Sequence, residues 1–323
     1  MAKTKKAKAK DKSAKETSAK AAKLGKAVKP GKVAKLKHEP VMLPRSTWFD
    51  LRSKHSGRTY RISVFEPLAP PPEAGYPVVT VTDGSLTFPI SATMSGAASM
   101  GGSGALVVGV SYPTKDPAAP MRLRLRDLTP ETPLSRIRPI PGLPPPVADD
   151  YGAAEPFYRF LTEELRPAIA KRYKVDPARQ TLYGHSLGGL FTLGVLFQHP
   201  EAYQTYCASS PSIWWNQRAL LKLEPKFAKR VAAGEVSAKV LVMIGGLEQT
   251  LPAIPPPPYT AAQAKKLLKD ARMVDNAREL SARLAALKGG AGYEARFVEF
   301  IDEDHMSVLP ASLSRSLVFA LRP

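Results

Sequence analysis

The chain has 323 residues, with 47 Lys and Arg against 28 Asp and Glu and a formal net charge of +19. Its hydrophobic fraction of 44% is enough for a sizeable core and excludes a fully disordered chain. A single cysteine, Cys207, excludes an internal disulfide and a cysteine-built zinc site, and no run of about 18 apolar residues is present to cross a membrane as a helix.

Residues 1–40 stand apart from the rest. They hold 14 lysines against Asp11, Glu16 and Glu39, a balance of +11 that leaves +8 to the other 283 residues. They contain no aromatic residue, and Leu24 and Leu36 are their only leucines. Such a segment cannot offset the entropy of its own ordering, so a disordered Lys/Ala-rich tail is expected at 1–40, ahead of a folded domain at 41–323. The start is basic, but the apolar stretch and small-residue cleavage site of a secretory signal are missing, so the expected location is the cytoplasm. Three roles are open to the tail: weak sequence-blind contact with nucleic acid, contact with an anionic membrane surface, or simple solubilisation.

The alternation of Tyr60, Ile62 and Val64 with Arg61 and Ser63 in RTYRISVFEP predicts a half-buried strand at 58–67. Apolar runs at Val78–Val81 and Ala105–Val110 predict buried strands, the first ending in a turn at Thr82-Asp83-Gly84. Residues 113–150 contain ten prolines and are expected to be loops. A helix is predicted over 157–173, a strand at 180–183, and a strongly apolar helix over 187–197. The run VLVMI at 240–244 predicts a strand, 261–287 one long helix, 294–301 a strand, and 312–321 a last helix. Strands alternating with helices argue for an α/β domain with a mostly parallel sheet and proline-rich insertions.

The chemistry concentrates in Gly184-His185-Ser186-Leu187-Gly188, a G-x-S-x-G pattern with a predicted strand before it and a helix after it. A nucleophile elbow needs that context. The sharp turn exposes the Ser186 hydroxyl, and the helix start aims the Leu187 N–H at a developing oxyanion. Serine needs a base, and of five histidines His305 alone follows the last strand and precedes the last helix. The acid should come between them in sequence. Glu248, just beyond VLVMIGG, is the candidate at a strand end, whereas Asp275 and Glu279 lie within a helical pattern. A second oxyanion donor is expected from the backbone of Gly84 or Ser85. No metal-ligand cluster or phosphate loop is found, and no cofactor is expected; Gly101-Gly102-Ser103-Gly104 is read as a flexible loop.

From about residue 45 onward the chain resembles the putative-esterase branch of the α/β-hydrolases, which includes the enterochelin and salmochelin siderophore esterases and the esterase D-like enzymes. The segments that carry this resemblance are GRTYRISVFEP, YPVVTVTDG, RDLTP at 126–130, YGHSLGGLF, SPSIWW at 210–215 and EDHMSVLP at 303–310. It implies an α/β-hydrolase fold with Ser186 as nucleophile, His305 as base and Glu248 as acid, and it places Arg126 and Trp214 near a small-molecule ester substrate. Some relatives work with a Ser-His dyad, which leaves the role of Glu248 open. The lysine tail and the proline run at 252–258 depart from the family pattern. Hydrolysis through an acyl-enzyme is the leading expectation. The alternatives are acyl transfer from the same intermediate, and a polyanion-binding protein that uses its tail and keeps the hydrolase fold as a scaffold.

Overall fold

The computed structural model describes residues 41–116, 118–137, 145, 147–254 and 258–322; the tail at 1–40 lies outside them, as do parts of both proline-rich stretches. Among the described residues, eight strands form one sheet in the order β1–β2–β4–β3–β5–β6–β7–β8. At one edge, β1 (Ser46–Arg52) and β2 (Thr59–Phe65) pair antiparallel. β2 is also antiparallel to β4 (Leu106–Ser111). Every other pairing is parallel, through β3 (Tyr76–Val81), β5 (Val175–His185), β6 (Thr205–Ser209), β7 (Lys239–Gly245) and β8 (Glu294–Phe300).

The principal helices are α1 (Gly84–Met100), α2 (Ala119–Leu128), α3 (Ala154–Arg159), α4 (Arg166–Ala170), α5 (Leu187–Gln198), α6 (Glu224–Ala232), α7 (Ala261–Ala271), α8 (Met273–Ala286) and α9 (Val308–Leu321). A π-helical turn, Phe160–Leu165, joins α3 to α4. Strand side chains alternate between two cores. Val78, Leu106, Val108, Leu182, Tyr206 and Val240 pack on one face with α3, α5, α6 and α8. Val79, Val81, Val107, Tyr183, Cys207 and Leu241 pack on the other with Phe88 of α1 and Leu309, Leu313 and Leu317 of α9. Covering both faces is why the central strands read as continuous apolar runs. Cys207 is a buried free thiol in the second core, and burial pushes it up to about 12.

Four differences from the sequence reading have physical causes. Residues 113–150 are not loops throughout: α2 forms there because Leu125, Asp127 and Leu128 are buried and Arg124 pairs with Asp83. The turn at Asp83 is the start of a 17-residue helix, α1, which is rich in Ser, Thr and Gly and shows no clear periodicity. Its small residues allow close packing: the Ser95 hydroxyl donates to the Ala105 carbonyl and accepts from the Ala105 N–H. The long helix at 261–287 breaks at Arg272, which is left-handed (φ 45°). There the Gln249 side chain accepts from the N–H groups of Val274 and Asp275, taking the place of the helical acceptors. The last helix begins at Val308 rather than at 312. β1 and β6 are further strands, too short or too charged to read as buried runs.

Asp127 is fully buried, and burial pushes its carboxyl up to about 6 against the pull of Arg58 and the Tyr60 and Tyr112 hydroxyls. The folded chain therefore keeps this proton to higher pH than the unfolded chain does. Its contribution is fully present below about pH 4 and is lost as pH rises through about 6. At about 1.4 kcal/mol per pH unit, Asp127→Asn should gain stability relative to the wild type by up to about 3 kcal/mol between pH 4 and pH 7. Urea unfolding at both pH values measures this, and a pH-independent difference would contradict it.

Candidate active site

All the parallel strands point their carboxyl ends to one edge of the sheet, where ligands of open α/β sheets bind. β5 ends at His185 and α5 begins at Leu187, leaving Ser186 at φ 60°, ψ −115°. A non-glycine residue held there costs about 1–3 kcal/mol and persists only if its surroundings impose it. Here the Ser186 N–H donates to the Ser209 carbonyl at 2.9 Å, and the Ser212 N–H donates to the Ser186 carbonyl at 3.1 Å. Gly184 is required for the same turn, because a Cβ on it would lie 2.0 Å from the Gly188 carbonyl oxygen.

The structure brings Ser186, His305 and Glu248 together. His305 Nε2 lies 3.0 Å from Ser186 Oγ, and His305 Nδ1 lies 2.6 Å from Glu248 Oε2. The Glu248 side chain is 1% exposed, while that of His305 is 39% exposed, so the chain of bonds runs from the interior to the surface. Glu248 Oε1 accepts from the Gly245 N–H at 2.8 Å and from the Ser210 hydroxyl. The loops after β7 and β8 are stitched together by Gly246 N–H to the Phe300 carbonyl and Leu247 N–H to the Glu303 carbonyl. Asp304 accepts from the N–H groups of Met306 and Ser307, which fixes the turn carrying His305 and holds its own carboxyl below the usual range.

The rival acids are occupied elsewhere: Asp275 accepts from the Gln249 amide and Glu279 from Arg272. The other described histidines also have partners away from the Ser186 hydroxyl. His199 stacks on Tyr158 and reaches Glu155, and His55 pairs with Glu163. His185 is buried with its ring 4.8 Å from that of His305, and its Nδ1 lies 3.1 Å from Ser209 Oγ. Burial, with the neighbouring His305 and Arg124, holds its pKa well below the ordinary histidine value, so it stays neutral.

Leu187 opens α5, and Gly84 and Ser85 open α1 after β3, which pairs with β5. The first N–H groups of a helix have no intrahelical acceptor, so all three candidate donors sit at helix starts on the strand-end side of the sheet. Arg126 donates to the Asp149 carbonyl, anchoring the 149–153 segment. Trp214 is half-buried against Trp215, whose indole N–H donates to the Thr132 hydroxyl. Sequence reasoning missed Ser210 and Ser212, whose hydroxyls contact Glu248 and Ser186, because serines in a loop carry no periodic or spacing signal. It also missed Arg124, whose two bonds to Asp83 fix the start of α1. Among the described residues, no group of three or more His, Cys, Asp or Glu is arranged to hold a metal.

The family model described as putative esterase matches residues 146–298. The ferri-bacillibactin esterase BesA of Bacillus subtilis is 39% identical over 282 residues, covering 84% of this chain and 88% of that protein. The siderophore triacetylfusarinine C esterase of Aspergillus fumigatus is 35% identical over 289 residues, covering 86% and 94%. The crystal structure of the BES protein from Bacillus cereus superimposes with a TM-score of 0.75 at 31% identity, covering 89% of this chain and all of that one. The chain belongs to the putative-esterase family and is a carboxylic ester hydrolase of the α/β-hydrolase fold.

Because the Gly188 carbonyl that a Cβ at 184 would strike is backbone, no side-chain rotation can relieve the clash. Gly184→Ala should therefore lower ester hydrolysis at least about a hundredfold and depress the unfolding temperature. Steady-state kinetics and a melting curve check it; wild-type values for both would contradict this account of the turn.

Proposed function

We propose that this esterase cleaves siderophore-type esters through an acyl-enzyme on Ser186. The observation that carries the reading is the continuous hydrogen-bond chain from Ser186 Oγ through His305 to the buried Glu248. Glu248 accepts from His305 Nδ1–H, which leaves Nε2 as the acceptor facing the serine. As Ser186 Oγ attacks the ester carbonyl, its proton passes to His305 Nε2, and Glu248 stabilises the imidazolium. The oxyanion is met by the Leu187 N–H and by that of Gly84 or Ser85. Collapse expels the alcohol, which takes the proton back from His305. Water then repeats the sequence and releases the acid and free Ser186.

The siderophore substrate class is supported by the names of the relatives, whose matches cover most of this chain. It also suits a base that is more than a third exposed, since a bulky chelate has to approach the reacting atoms from the surface. Arg126 and Trp214 would line that approach. The reading includes a cytoplasmic enzyme. It also includes a basic arm at 1–40 that makes weak contact with polyanions, ahead of a catalytic domain at 41–323.

Hydrolysis of p-nitrophenyl esters of several chain lengths and of a ferric siderophore trilactone tests this. Ser186→Ala should lose several orders of magnitude, His305→Ala nearly as much, and Glu248→Gln about a hundredfold or more. The trilactone should exceed p-nitrophenyl acetate in kcat/KM by at least about tenfold. Full activity in Ser186→Ala would overturn the mechanism, and a preference for the acetate would overturn the substrate class.

Removing residues 1–40 should leave small-ester hydrolysis within about twofold. It should also greatly weaken a DNA retardation that fades steeply with salt, since each neutralised phosphate frees a counterion. Retardation undiminished by the truncation would contradict the arm's role.

A further inference from the structure

We propose that Ser210-Pro211-Ser212 is a positioning strap that fixes both ends of the proton-transfer chain, Ser212 at the nucleophile and Ser210 at the acid. This rests on the acyl-enzyme reading above. Ser186 gives its own proton to His305 Nε2, which leaves the lone pairs of Oγ without a donor. The Ser212 hydroxyl lies 3.4 Å away and is placed to supply one. Such a bond holds the Ser186 side chain toward His305 and stabilises the charge that grows on Oγ as its proton leaves. The contact is loose in the resting enzyme, and catalytic hydrogen bonds often tighten only in the substrate complex.

At the other end, the Ser210 hydroxyl donates to Glu248 Oε1, beside the Gly245 N–H on the same oxygen. Glu248 Oε2 is thereby left for His305. Ser210 sits at φ 45°, where glycine would be unstrained. What serine adds at this position is the hydroxyl. Ser210 and Ser212 are 0% and 3% exposed, so neither hydroxyl is there to meet solvent.

The backbone of the strap is tied at both ends. The Ser210 N–H donates to the Met243 carbonyl at 2.8 Å, next to the β7 end that leads to Glu248. The Ser212 N–H donates to the carbonyl of Ser186 itself. Between them Pro211 has a fixed φ, and it lies so close to α5 that a Cβ on Gly189 would come within 2.9 Å of Pro211 Cα. The strap therefore ties the elbow after β5 to the acid loop after β7 across the end of β6.

The test measures kcat and KM on one p-nitrophenyl ester for Ser210→Gly, Ser212→Ala, Glu248→Gln and the double variant Ser210→Gly/Glu248→Gln. Each serine variant should lower kcat about tenfold with KM within twofold. Ser210→Gly should still melt cooperatively and close to the wild type, because glycine relieves the backbone strain there while the Gly245 N–H still donates to Glu248 Oε1. A residue acting through Glu248 has nothing left to act on once that carboxylate is gone, so Ser210→Gly should change nothing further in the Glu248→Gln background. Ser212→Cys, which keeps a weaker donor on a slightly larger side chain, should fall between wild type and Ser212→Ala. Wild-type turnover in either serine variant, or an equal cost of Ser210→Gly in both backgrounds, overturns the strap. If Ser186→Ala is inactive while the strap variants run as wild type, only the strap falls; if Ser186→Ala stays active, the acyl-enzyme reading falls with it.

Discussion

Glu248 carries a carboxylate into the interior with a side chain 1% exposed. Burying a carboxylate is expensive unless its oxygens are matched by donors. Here each oxygen is matched: Oε1 by the Gly245 N–H and the Ser210 hydroxyl, Oε2 by the His305 ring. The loops after β6, β7 and β8 must therefore converge, and their backbone bonds serve that convergence. Gln249 extends the arrangement outward: its amide caps the start of α8 and bonds Asp275, so the acid loop cannot drift from the domain. A structure that solves the burial of this one charge has also placed His305.

The nucleophile is held by a second constraint of a different kind. Ser186 occupies a strained backbone region, and the strain is sustained by bonds on both sides, Ser209 accepting from its N–H and Ser212 donating to its carbonyl. Because β5, β6 and β7 are parallel neighbours, the strand ends arrive side by side, and residues distant in sequence meet without long loops. His185, neutral and packed on the His305 ring, fills the space beneath the base.

Much of this was legible in the sequence because the carrying signals are local. The runs at 78–81, 105–110 and 240–244 announce strands buried on both faces, and G-x-S-x-G between a strand and a helix announces the elbow. Glu248 and His305 could be chosen because each follows a strand end in the required order. The illegible parts depend on tertiary contact. α1 has the composition of a loop and is helical because Phe88 and Ala92 are buried against the sheet and small residues allow close approach. The break at Arg272 has no proline or glycine to mark it; Gln249, more than 20 residues earlier, supplies the competing acceptor. Ser210 and Ser212 belong to the quoted segment SPSIWW, yet their contacts exist only once β6 and β7 are side by side.

The most direct test of the central claim is stoichiometric labelling with a fluorophosphonate, read by peptide mass and by residual ester hydrolysis on the same samples. One phosphonyl group per chain is expected, carried by Ser186, with activity falling in proportion to its occupancy. Complete modification of Ser186 with hydrolysis undiminished, or inactivation tracking a label on another residue, would contradict it.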